Sequence, residues 1–131
     1  MSSVLLVLAV IRDPETKNLV RFILEGEGHR VIQARDYLQA SALLQNGVDP
    51  DLVLVEPDNS NPDDREHCRV LALNAPASSV CLILGIGEQR LLTEMREFGI
   101  RRSLTKPVTR QDLETLVGES GRAEQIFAPN L

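Results

Sequence analysis

Tryptophan is absent from this 131-residue chain, and one tyrosine and three phenylalanines make up its aromatic content. Its core must therefore be aliphatic, and the stacking platforms that hold single-stranded nucleic acid are missing. Basic residues are outnumbered, with 14 lysines and arginines against 19 carboxylates. The net charge of −5 repels a phosphate backbone, so direct contact with nucleic acid would need a separate module. Cysteine is scarce. Cys68 and Cys81 have neither metal-ligand spacing nor a histidine nearby in sequence, and read as reduced, buried small hydrophobes. The longest apolar run, residues 4–11, falls far short of the ~20 residues that span a bilayer, and no basic segment precedes it as in a signal peptide. The expected compartment is the cytoplasm, with no membrane contact.

What is present is a hydrophobic fraction of 43%, enough for one domain but not two. The apolar run at 4–11 has strand length and leads into Arg12, Asp13 and Pro14, where Asp13 can cap a helix that starts on proline. Leu19, Val20, Ile23 and Leu24 recur at helical spacing before Gly26 and Gly28. The alternation continues with strands at 30–34, 52–55, 80–84 and 102–105. Helices are expected from Asp36 to Asn46-Gly47, from Asn61-Pro62 to about Leu73, over 88–98, and from Thr109 to Gly118. Asp112 stands at the capping-box position of the last helix, and Val108 can staple onto Leu113. Residues 1–118 read as one domain and 119–131 as a tail or a truncated linker.

Five βα units with apolar strands imply a parallel sheet covered by helices on both faces, its site lying beyond the carboxyl ends of the strands. That places Ile11, Arg12, Asp13, Glu56, Gly85, Ile86 and Lys106 together.

Three segments carry a resemblance: PDLVLVE at 50–56, DPETKNLVRFILEGEGHRV at 13–31 and GIRRSLTKPVTRQDL at 99–113. They resemble the receiver domain of two-component response regulators over residues 4–117, with LTKP after a strand the most specific element. The resemblance implies a flavodoxin-like (βα)5 sandwich with strand order 2-1-3-4-5. It also implies an aspartate phosphoacceptor ending the third strand, an acidic pair that holds Mg²⁺ after the first, and a lysine before a cis proline. A hydroxyl residue after the fourth strand and an aromatic in the fifth relay the phosphorylated state.

In this chain Lys106 and Pro107 match that pattern, and most other positions depart from it. The phosphoacceptor position holds Glu56, whose carboxylate reaches about 1.5 Å further, and misplacement of about 1 Å can cost ~100-fold in rate. The acidic pair falls on Ile11 and Arg12, leaving Asp13, and a metal ion beside Arg12 would meet a like charge. The expectation is a lost Mg²⁺ site, with no cofactor, no metal and no catalytic residues. Gly85 and Ser103 replace the relay groups. Arg12 and Lys106 are both expected to reach Glu56, making a metal-free charge cluster that fixes one conformation. A second reading makes Glu56 an imitation of the phosphorylated aspartate.

The implied function is a degenerate receiver, not an enzyme, acting through protein partners: a sensor kinase, an output domain or another receiver. In this family the face of helix four, strand five and helix five is a frequent dimer or partner surface, where Arg90, Glu94, Arg96, Arg102, Arg110 and Glu114 offer charges. The alternatives are a phospho-accepting receiver of atypical chemistry, or a small anion- or nucleotide-binding domain using Gly85-Ile86-Gly87. Asp58 reads as a turn residue, and His29 and His67 as surface residues.

Overall fold

The structure is a computed structural model and describes residues 4–127. Its elements follow in the order β1 (Leu6–Val10), α1 (Pro14–Gly26), β2 (Arg30–Gln33), α2 (Tyr37–Gln45), β3 (Leu52–Val55) and α3 (Asp64–Asn74). They continue with β4 (Val80–Leu84), α4 (Gln89–Met95), β5 (Arg102–Thr105) and α5 (Arg110–Phe127). The five strands form one parallel sheet in the order β2-β1-β3-β4-β5, the flavodoxin-like arrangement expected from the sequence.

Alternation along the strands divides the core in two. Leu8, Val10, Val53, Val55, Leu82 and Leu84 face α2, α3 and α4, where Ala40, Leu44, Cys68, Leu71, Leu91 and Met95 meet them. Val7, Ala9, Leu52, Leu54, Cys81 and Ile83 face α1 and α5, packing on Val20, Ile23, Leu24, Leu113 and Leu116. Each fully buried aliphatic side chain contributes about 1.5–3 kcal/mol, so the unbroken apolar strands account for much of the fold's stability. Both cysteines are free and buried, on opposite faces of the sheet. Burial raises their thiols, Cys68 to about 11 and Cys81 to about 12, which keeps them protonated and inert at neutral pH.

Helix starts follow the local chemistry. Asp13 caps α1 by accepting from the Thr16 amide and hydroxyl, with Pro14 as the first helical residue. Thr109 and Asp112 exchange side-chain to backbone hydrogen bonds of 3.0 and 3.1 Å, a complete capping box. Gly99 follows α4 and a short 3₁₀ turn at φ +89°, and a Cβ there would stand 2.8 Å from the Ala77 Cβ, so only glycine fits.

Three expectations need correction. Gly118 does not end the last helix, because α5 runs through it to Phe127, and residues 128–131 of the expected tail lie outside the described residues. An interior glycine costs about 1 kcal/mol. Here the apolar side chains of Leu113, Leu116 and Val117 hold the preceding turns against the sheet. The third helix begins later than Asn61-Pro62, at Asp64. His29 is not a surface residue: it is 7% exposed, and its Nδ1 accepts the Leu5 amide at 3.0 Å, fastening the entry to β1.

Candidate functional site

Parallel pairing brings the carboxyl ends of β1, β3, β4 and β5 to one rim. Val10 pairs with Val55, the Glu56 amide donates to the Val10 carbonyl at 2.9 Å, and the Lys106 amide donates to the Leu84 carbonyl at 2.8 Å. Glu56, Arg12, Gly85 and Lys106 therefore emerge side by side. Glu56 is 3% exposed.

A carboxylate at that depth needs donors for its lone pairs, and Glu56 has three. Oε1 accepts the Arg12 amide at 2.8 Å and the Asp13 amide at 2.7 Å, both from the turn between β1 and α1. Oε2 accepts the Lys106 ammonium at 2.5 Å. The Glu56 hydrogen bond, helped by the fields of Glu56, Asp13 and Glu88 and opposed by partial burial, raises the Lys106 ammonium above its ordinary value. The Lys106–Pro107 peptide is cis.

The guanidinium of Arg12 does not reach Glu56, contrary to the expected charge cluster. It turns outward to Asp58 at 3.5 Å, with more than half of its side chain exposed. Arg12 serves Glu56 through its backbone, since a strand-end residue whose N–H points inward can leave a long charged side chain in water. Asp58 also accepts the Ser60 amide at 3.0 Å and its hydroxyl at 2.6 Å, and those bonds hold its carboxyl below the usual range. It is a turn residue that anchors Arg12.

The donor set does not suit Mg²⁺, which requires several oxygen ligands near octahedral geometry. Ile11 packs in the core beneath α1 and α5, and Arg12 is cationic. Asp13 is committed to its cap, and the Thr16 hydroxyl hydrogen bond lowers its carboxyl.

After β4, the Gly85 amide donates to Glu88 Oε1 at 2.5 Å, while the Glu88 amide donates back to the Gly85 carbonyl at 3.1 Å. The Gly85-Ile86-Gly87 segment, which the sequence offers as an anion-binding loop, is thus closed by Glu88, whose place three residues beyond Gly85 brings its carboxylate to that amide. Ile86 projects into solvent at 85% exposure. Ser103 lies half-buried in a groove of about 650 Å³ between β5 and α5. On that face Glu94 pairs with Arg65 at 2.5 Å and Arg110 with Glu27 at 3.3 Å, so part of its charge is used within the chain.

A second polar cluster, unforeseen in the sequence, stands behind the rim. Asp64, 5% exposed, accepts the Tyr37 hydroxyl at 3.2 Å and the Asp58 amide, and lies 3.2 Å from His67 Nδ1. The His67 ring stacks on Tyr37 with centroids 4.6 Å apart.

No profile of a known protein family matches the sequence, and no curated protein resembles it significantly. Solved structures do resemble it in fold. The response regulator receiver domain protein from Clostridium thermocellum superposes with TM-score 0.74 at 20% identity, over 92% of this chain and 96% of that one. NtrX from Brucella abortus gives TM-score 0.78 at 22% identity over 95% of this chain, which spans only 29% of the NtrX chain. The signal receiver domain of a histidine kinase from Syntrophus aciditrophicus gives 0.73 at 22% identity, covering 90% of each chain. The fold is thus that of response regulator receiver domains.

Proposed function

We propose that this domain is a receiver-like signalling module that works through protein contact and does not accept a phosphoryl group. The carrying observation is the closure of Glu56, whose two oxygens are already engaged by two backbone amides and one ammonium. A nucleophilic carboxylate needs an oxygen free to approach phosphorus, and neutralising charge left over for the transferring group. Here the neutralising groups are spent on the carboxylate itself.

The same closure favours a fixed charge arrangement over an imitation of the phosphorylated state. The lysine is held inward by Glu56, Gly85 lacks the hydroxyl after β4, and Ser103 lacks the aromatic ring in β5 that would relay a change. The domain is thus a cytoplasmic, non-enzymatic binding module that requires no metal. Its partners are proteins of the signalling system: a sensor kinase, an output domain or another receiver, with self-association through α4, β5 and α5.

The test is to incubate the protein with Mg²⁺ and acetyl phosphate, and separately with beryllofluoride, following intact mass and amide NMR shifts. The expected result is an unchanged mass and no saturable shift around Glu56. A covalent phosphate adduct, or saturable shifts at Glu56 and Lys106, would establish the phospho-accepting alternative.

A further inference from the structure

We propose that Glu27 and Glu114 form a proton-operated clasp between α1 and α5, in which one proton shared by the two carboxyl groups ties the last helix to the first. None of its groups bonds to Glu56, and the clasp is independent of whether the rim accepts a phosphoryl group.

Its geometry begins where α1 ends. Val20, Ile23 and Leu24 seat that helix in the same core layer as Leu113 and Leu116 of α5. Glu27 caps its carboxyl end, the Glu27 amide donating to the Ile23 carbonyl at 3.2 Å. A carboxylate gains nothing from that end of a helix, which carries partial negative charge. The side chain reaches instead across to α5, where Arg110 meets it at 3.3 Å, although 83 residues separate the two.

Glu114 stands four residues after Arg110, one turn along the same face of α5. Glu27 thus meets one cation and one carboxyl group on a single helix. A hydrogen bond with Glu27 holds the Glu114 carboxyl above the usual carboxylate range, helped by desolvation and by the Glu27 charge and opposed by Arg110. The charges that act on it are therefore Glu27 from α1 and Arg110 from α5. Glu25, the other acid near the end of α1, is paired with Arg21 at 3.1 Å.

Acid should tighten this junction and neutral pH should loosen it. The folded chain holds the Glu114 proton more tightly than the unfolded chain, so the clasp is fully formed below pH 4.5 and is lost as pH rises through the higher folded value. With both acids ionised, Arg110 alone bridges the helices and Glu114 repels Glu27. Once protonated, Glu114 donates to Glu27, which is then held from two points a turn apart. Leu113 and Leu116 flank Glu114 and seat this stretch of α5 in the core, and the helix continues from there to Phe127.

The experiment is a carboxyl-carbon NMR titration of the full chain and of Glu27→Ala and Arg110→Met, with amide-exchange protection of residues 113–117 measured at neutral and mildly acidic pH. In the parent, Glu114 is expected to titrate above 4.5, lower in Glu27→Ala and higher still in Arg110→Met. Protection of residues 113–117 should rise on acidification in the parent and stay level in Glu27→Ala. Glu114→Gln, a neutral donor at every pH, should have a higher urea midpoint than the parent at neutral pH, and the gap should close below pH 4.5.

A Glu114 titration indifferent to Glu27→Ala would overturn the clasp, and so would the same pH dependence of protection in the parent and Glu27→Ala. A Glu114→Gln variant no more stable than the parent at neutral pH would count equally against it.

Discussion

Among the described residues two carboxylates are buried, Glu56 at 3% exposure and Asp64 at 5%, and they are kept in different ways. Glu56 has a full cation, Lys106, and two backbone amides. Among the described residues Asp64 has no bond to lysine or arginine; its partners are a phenol, a backbone amide and a histidine ring. The first is neutralised mainly by charge and the second mainly by dipoles. The two are linked, because Asp64 holds the Asp58 amide while the Asp58 carboxylate holds Arg12 at the rim. One buried acid fills the site, and the other braces the loop beside it.

The largest effect should come from deleting the charged partner. Glu56→Ala leaves two amides and a partly buried ammonium without their acceptor, and a loss of about 3 kcal/mol is expected in urea denaturation. Asp64→Ala orphans weaker donors, and the expected loss is about 2 kcal/mol. A larger loss at Asp64 would invert the comparison.

Conservative amides separate charge from shape. In Glu56→Gln the amide oxygen can still serve Arg12 and Asp13, yet its NH₂ then faces the Lys106 ammonium, donor against donor. The expected loss is about 2 kcal/mol. Asp64→Asn can still accept from Tyr37 or Asp58, and the expected loss is nearer 1 kcal/mol. Equal losses in the two variants would mean that both acids are held by the same kind of interaction.

pH gives an independent handle on the Glu56 region. The folded-state value of Lys106 is raised above its ordinary 10.5. Its stabilising contribution is therefore fully present below about that pH and is lost as pH rises through the folded value. Other groups also titrate there, so the measurement is a difference. The gap in stability between the parent and Lys106→Met should be steady through neutral pH and narrow above pH 10.5. A gap that widened in alkali would contradict the Glu56–Lys106 pairing.

Much of this region was legible because it depends on order along the chain. Apolar runs, the Asp13-Pro14 start, the Thr109 and Asp112 box and the residues before Lys106-Pro107 each fix a local conformation, and parallel pairing then gathers the strand ends. Side-chain direction at the ends was not legible. A residue such as Arg12 serves Glu56 either through its N–H or through its guanidinium, and sequence position is the same for both. Asp64 was missed for a similar reason: beside Asp63, Arg65 and Glu66 it has the composition of a solvated first turn, and only the packing of Tyr37 and the 57–63 loop buries it. Glycine misled at the far end of α5, where packing of the preceding turns outweighed the propensity of Gly118.

Gln33 sharpens the comparison by supplying a buried polar group with neither remedy. It closes β2 opposite Ala9, and both its amide nitrogen and its amide oxygen are inaccessible and lack a hydrogen-bond partner among the described residues. A buried amide that gains no bond on folding loses hydration without return, at about 1–3 kcal/mol. If Glu56 and Asp64 are stabilised by their partners, removing the polar group where there are none should have the opposite sign. Gln33→Leu, close in size and apolar, is expected to raise stability by about 1 kcal/mol, read as a higher urea midpoint at unchanged slope. A loss on that substitution would show that the Gln33 amide is solvated or bonded in solution, and that its polarity is compensated after all.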